Sequence, residues 1–175
     1  VGESAISAVA LVDSINTLVI NLLTALAAGG VIVCAQYLGR EDRERANAAA
    51  RQVLLVSLSI SLLLMAVCLS LRGPLLRLIF GRVEDSVMEQ ALVYFFITAL
   101  SYPFIGLQQT AAATFRAGGH SAQPMIVAAI ANAVNIIGNS ITLYVLDMGV
   151  AGAALSTTFS RVVSGLVLLC MLRKR

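Results

Sequence analysis

The sequence predicts an all-α, polytopic membrane helical bundle, and two observations carry that expectation. Its 175 residues are 59% hydrophobic and only 12% charged, about half of the roughly 25% charge usual in soluble domains. The charges are also bunched. No Asp, Glu, Lys or Arg lies between Asp13 and Arg40, between Arg51 and Arg72, between Glu89 and Arg116, or between Arg116 and Asp147. Each run reaches the ~20 apolar residues with which a helix crosses a bilayer. A soluble core cannot hide so much continuous apolar surface in so short a chain, so the first partner to expect is the lipid bilayer.

Five spanning helices follow, at about residues 4–36, 48–71, 87–115, 124–146 and 149–172. The first ends at Gly39-Arg40-Glu41-Asp42, a breaker followed by charge. The second stops before Gly73-Pro74, and the third before Gly118-Gly119-His120. Within the third, Tyr102-Pro103 predicts a kink near the middle, since proline removes a backbone donor and its ring crowds the preceding turn. Pro124 suits the first turn of the fourth helix, where its missing N–H matters least. Met148-Gly149 makes a tight hairpin into the fifth. Residues 75–88 mix Leu76, Leu78, Ile79 and Phe80 with Arg77 and Arg82, the pattern of a short amphipathic connector on the membrane surface.

Lys/Arg placement orients the bundle. One side holds Arg40, Arg43, Arg45, Arg51, Arg116, Arg173, Lys174 and Arg175; the other holds Arg72, Arg77 and Arg82. Eight against three puts the first side in the cytoplasm, with the N-terminus of this stretch outside and its C-terminus inside. The net charge of +3 is accounted for by this asymmetry and implies no nucleic-acid partner. The chain opens on Val1-Gly2-Glu3 without Met and ends on Arg173-Lys174-Arg175; both ends read as cut from something longer, with no signal peptide in view. Cys34, Cys68 and Cys170 stand singly in apolar segments and read as packing residues. His120 is alone, so no metal site is expected.

Function is expected where polar side chains interrupt the apolar helices, because leaving them unpaired in lipid is costly. At ~1.5 Å per residue, Asp13, Asn135, Asn139, Thr157 and Arg161 fall roughly 10–18 Å from the outer ends of their helices, in one band. Asn132, Asn135 and Asn139 fall on one helical face. Two readings stand for that face: interhelical hydrogen bonding, worth about 0.6 kcal/mol on average, or the wall of a cavity or cation site. Two also stand for Asp13 and Arg161, the ionisable groups deep in apolar segments: a structural ion pair, or an Asp13 that titrates and couples proton movement to transport. Small residues at 25–30 and 149–156 favour close helix packing.

Several stretches, in order, resemble the multidrug and toxic compound extrusion (MATE) family of cation-coupled exporters. Val1-Gly-Glu-Ser-Ala-Ile-Ser-Ala-Val looks like the entry to that family's second helix. Ala35-Gln-Tyr-Leu-Gly39 with its charged loop looks like the next connection. Pro103-Phe104, Phe115-Arg-Ala-Gly118 and Pro124-Met125 are similar to the fourth-to-fifth stretch. Asn132-x-x-Asn135 and Gly149-Val-Ala-Gly-Ala-Ala-Leu-Ser-Thr157 match the fifth and sixth helices. The resemblance implies that residues 1–175 are the second to sixth helices of a twelve-helix protein built from two six-helix bundles, five of the six helices of one lobe, lacking its first helix and the second bundle. It implies further that Asn135 and Thr157 sit at the coupling site of the N-terminal lobe. Asn139 stands where many relatives have Asp, and an amide cannot exchange a proton near neutral pH.

The implied function is export of amphipathic, often cationic, drug-like organic compounds in exchange for H+ or Na+ by alternating access, in a bacterial inner membrane, with no cofactor. A flippase for lipid-linked saccharides would share the architecture but need a wide, strongly basic cavity. A non-transporting scaffold would have no cavity and fully packed asparagines. An enzyme has nothing to work with, since no Ser-His, paired Asp or HExxH arrangement is present.

Overall fold

Helix α1 (Glu3–Gly39) runs through the middle of the bundle, with α2 (Arg43–Ser70), α4 (Asp85–Ala99) and α5 (Tyr102–Ala117) packed around it. Between α2 and α4 lies the short α3 (Arg72–Phe80); α6 (Ala122–Ser140) continues as a π turn over Ile141–Val145, and α7 (Gly149–Arg173) closes the order. The coordinates are a computed structural model that describes residues 3–81 and 83–173. Val1, Gly2, Arg82, Lys174 and Arg175 fall outside the described residues, and with them three of the cations used to orient the chain. Helices α1, α2, α7 and α6 with its π turn are each long and apolar enough to cross a membrane, and α4 with α5 passes the same test as one span bent by 48°. The chain is thus a multi-pass, all-helical membrane protein.

The buried stripe of α1 explains its central place. Ala5, Ala8, Val12, Ile15, Val19, Leu23, Ala27, Val31 and Cys34 are all buried and recur every three or four residues, one face of a helix. The upper part of this stripe meets Ala91, Phe95, Ala99, Tyr102 and Ile105 from the bent span. Ile6, Leu18, Leu22, Ile32 and Val33 point away from the bundle, which lipid accommodates without penalty. Cys34 and Cys68 are buried as expected of packing residues, whereas Cys170 faces outward.

The bend falls at Leu100–Ser101, just ahead of Pro103, where a kink was expected, and its hydrogen bonds can be accounted for singly. Pro103 has no N–H to offer Ala99. The Ser101 N–H turns to Thr98 O at 3.0 Å, so the carbonyl of Ile97 loses its helical partner. Thr158 of α7 replaces it, donating its hydroxyl to Ile97 O at 3.1 Å, and Ser101 Oγ donates to Thr98 O at 2.6 Å. Buried backbone groups must be paired, and here hydroxyls do it.

The connector is shorter than the pattern predicted. Helix α3 stops at Phe80, because Gly81 takes φ +64, a conformation that favours glycine. Leu76 turns into the core while Leu78 is 85% exposed. Arg72 lies over the Phe96 ring, 5.2 Å from its centroid, a cation–π contact.

Helices α5 and α7 approach closely because Gly165 has no side chain. A Cβ there would stand 2.7 Å from the carbonyl oxygen of Phe104, and backbone cannot step aside as a flexible side chain can. Gly165→Ala is therefore expected to destabilise the full-length protein by about 1–3 kcal/mol, the usual range for overpacking. A thermal-unfolding midpoint unchanged from wild type would contradict this contact.

Candidate functional site

Helix α6 packs along α7 and touches little else in the chain: 6% of its apolar window is buried. The seam works because Gly138 lets the backbones close. A Cβ on it would collide with Ser156 Oγ, and Ser156 instead donates to the backbone carbonyl of Asn135 at 3.1 Å. Three of the expected site residues meet here. Asn135 Nδ2 donates to Thr157 Oγ1 at 3.2 Å and to Ser160 Oγ at 3.5 Å. Asn139 Nδ2 donates to Asn135 Oδ1 at 3.2 Å. Asn139 Oδ1 is buried with no hydrogen-bond partner. An orphaned buried acceptor costs about 1–3 kcal/mol, so this oxygen is one that a cation or a donor would satisfy. Asn132, on the same face, makes no side-chain hydrogen bond among the described residues and lines a cavity.

A second cluster lies between α1 and the bent span. Asp13 Oδ1 accepts from the Tyr94 hydroxyl at 3.2 Å and from Asn16 Nδ2 at 3.3 Å. Asn16 Nδ2 also reaches Thr98 Oγ1 at 3.4 Å, while Asn16 Oδ1 accepts from the Tyr102 hydroxyl at 3.0 Å. The Tyr94 hydroxyl stands beside Thr157 as well, so the two clusters join. A line of polar groups runs from Asp13 through Tyr94 and Thr157 to Asn135 and Asn139.

Of the two readings for Asp13 and Arg161, the direct ion pair is absent among the described residues. The one ion pair among the described residues links Arg45 to Asp42 at 3.3 Å, at the N-terminus of α2. Asp13 is occupied by Tyr94 and Asn16, whereas Arg161 NH1 donates to Ser101 Oγ at 3.2 Å, at the bend. The two charges sense each other at longer range, with Tyr94 close to both. An arginine at the centre of a spanning helix costs roughly 2.5–3.5 kcal/mol on insertion scales, and a serine hydroxyl offsets only part of that.

Asn16, Tyr94, Thr98, Ser101 and Tyr102 were not anticipated as part of the site. Their signal was in the sequence: Asn16 lies one turn from Asp13, and Tyr94, Thr98 and Tyr102 recur every four residues through an otherwise apolar segment.

The polar line opens on a cavity of about 280 Å³ lined by Gln108, Gln109, Asn132, Asn135, Thr157 and Arg161, with Ile20 and Ile105 supplying apolar wall. A larger hollow of about 420 Å³ lies where α1, α4 and α7 begin. Its lining is largely apolar at Ala5, Val93, Met148, Val150 and Ala151, with Glu89 and Gln90 as its polar side chains, fewer than the smaller cavity gathers. The smaller cavity is the candidate.

Known proteins share this arrangement of helices. An uncharacterized transporter, YisQ, of Bacillus subtilis is 27% identical over 99% of this chain, which covers 38% of that protein. Multidrug and toxin extrusion protein 2 of Mus musculus is 29% identical over 91% of the chain, covering 28% of its own length. A multidrug resistance MATE family transporter of the MOP superfamily, solved in an outward-facing conformation, superposes with a TM-score of 0.91 at 25% identity, over 98% of this chain and 38% of that one. The chain therefore spans well under half the length of these relatives. Residues 1–141 match the MatE family model, which covers most of the chain, and so the chain belongs to the MatE family.

Proposed function

We propose that the full-length protein is a secondary active exporter of amphipathic organic compounds, moving them by alternating access in exchange for H+ or Na+. The observation that carries this reading is the convergence of Asn135, Asn139 and Thr157, with the unpartnered Asn139 Oδ1, beside a polar cavity. Amide and hydroxyl oxygens of this kind suit a hard cation. A proton would have to be carried by a carboxylate, and Asp13, at the far end of the same polar line, is the one this chain offers. The name of the murine relative, with its reference to multidrug and toxin extrusion, supports the choice of cargo.

A scaffold with packed asparagines and no cavity does not fit these features. Neither does a flippase with a wide, strongly basic chamber, since Arg161 is the one charged side chain in the lining. The remaining helices of the transporter, a first helix and a second bundle, belong to the rest of the full-length protein in this reading. In this reading the protein sits in a bacterial inner membrane, and the Lys/Arg asymmetry supports an orientation with Gly39–Arg43 in the cytoplasm.

Full-length protein in proteoliposomes tests the proposal. An imposed proton or sodium gradient is expected to drive movement of a fluorescent amphipathic dye against its concentration gradient. No gradient-dependent movement under either ion would sink the reading, and labelling of a single cysteine at Glu41 from the outside only would reverse the orientation.

A further inference from the structure

Arg161 carries a charge with which no carboxylate among the described residues pairs directly, Asp13 acting on it only at longer range. Among the side chains lining the 280 Å³ cavity it is the one ionised group. Its single hydrogen bond goes to Ser101, although a guanidinium has five N–H donors in a rigid fork. No carboxylate pairs with it, because Asp13 has turned to Tyr94 and Asn16. Around it stand three amides, Gln108, Gln109 and Asn132, whose side chains make no hydrogen bond among the described residues. Each has an NH2 group to offer. The polar part of the cavity therefore combines one positive charge with amides that can donate or accept, and Ile20 and Ile105 supply apolar lining.

From this chemistry we infer that the cavity binds a carboxylate-bearing amphipath, with the carboxylate on the Arg161 fork. The planar guanidinium matches a carboxylate bidentately. The amides of Gln108, Gln109 and Asn132 flank that anion, and the apolar body of the ligand lies on Ile20 and Ile105. A single arginine suits a monovalent oxyanion; a doubly charged phosphate would leave charge uncompensated in the bilayer. The inference rests on the reading of the protein as an exporter, and it narrows the cargo from amphipathic organic compounds to those that carry a carboxylate.

Rhodamine B and its methyl ester share one ring system and differ in a free carboxylate, so they form a matched pair of probes. With purified full-length protein, fluorescence anisotropy is expected to show rhodamine B binding about tenfold or more tighter than the ester, the scale of one charge-assisted hydrogen-bonded contact. Arg161→Gln should bring the two affinities together, and Arg161→Lys should keep part of the difference. Should Arg161→Gln fail to fold, Gln109→Glu places a carboxylate in the cavity and should weaken rhodamine B selectively. Equal affinities in wild type, tighter binding of the ester, or a preference that survives Arg161→Gln would each overturn the inference. A carboxylate supplied to Arg161 by another segment of the full-length protein also gives equal affinities and overturns it. Flux of the same dyes into proteoliposomes separates the two readings. If rhodamine B binds preferentially but neither dye moves, the site stands and the exporter reading fails. If the ester moves and rhodamine B neither binds nor moves, the exporter reading stands and this inference fails.

Discussion

Replacing Asn135 and Asn139 together with leucine is expected to lower efflux by the full-length protein roughly 100-fold or more. Hydrogen bonds or contacts to a charged group are worth about 1.5–3 kcal/mol each, and about 1.4 kcal/mol is a factor of ten. The double change removes both amide oxygens of the seam, the orphaned Asn139 Oδ1 among them. It also deprives Thr157 and Ser160 of their donor at Asn135. Leucine shares the branched outline of asparagine, though it is bulkier, and is at home in lipid, so α6 should still pack on α7. Protein level and thermal midpoint then serve as the control for folding. Efflux at the wild-type rate would demote both residues to packing. Asn139→Asp sharpens the test by placing a carboxylate, which can carry a proton, beside Asn135: export should become more steeply dependent on pH.

Asp13→Asn is expected to abolish drug resistance conferred by the full-length protein while leaving its expression intact. The asparagine keeps a carbonyl oxygen to accept from Tyr94 and Asn16, the two donors that hold Asp13 in place. The charge and the ability to carry a proton are lost, while the geometry remains. Asp13→Leu differs, since it strands the Tyr94 hydroxyl and one Asn16 N–H and should cost about 1–3 kcal/mol of stability for an unsatisfied buried group. Comparing the two variants separates a proton carrier from a structural hub. Normal resistance in Asp13→Asn would leave Asp13 with the structural role alone.

The membrane class, the helical fold and the kink were legible in the sequence because each has a local cause. Charge-free length makes a span, and Pro103 removes a backbone donor wherever it sits in a helix. The joining of Asn135 to Thr157 was also foreseeable, through resemblance rather than periodicity, since helix depth alone does not say which faces meet. The fate of Asp13 and Arg161 was not legible. Both had the depth and sign for an ion pair, yet Asn16, Tyr94 and Ser101 compete for them at shorter range. That competition depends on the rotation of α1 and α7 about their axes, and a buried residue pattern fixes such rotation only loosely. Hydroxyl and amide groups in an apolar helix read as neutral filler until a neighbouring helix brings their partners into reach.

The Ser101 hydroxyl at the bend donates to the Thr98 carbonyl and accepts from Arg161, while Thr158, less than one turn away on α7, donates to Ile97. The angle of the bent span and the availability of Arg161 are therefore linked quantities. A ligand that draws the guanidinium away from Ser101 removes one of the clasps holding α7 to the bend. By thermodynamic reciprocity, any state of the lobe in which that clasp is already open must bind the same ligand more tightly, and by the same factor.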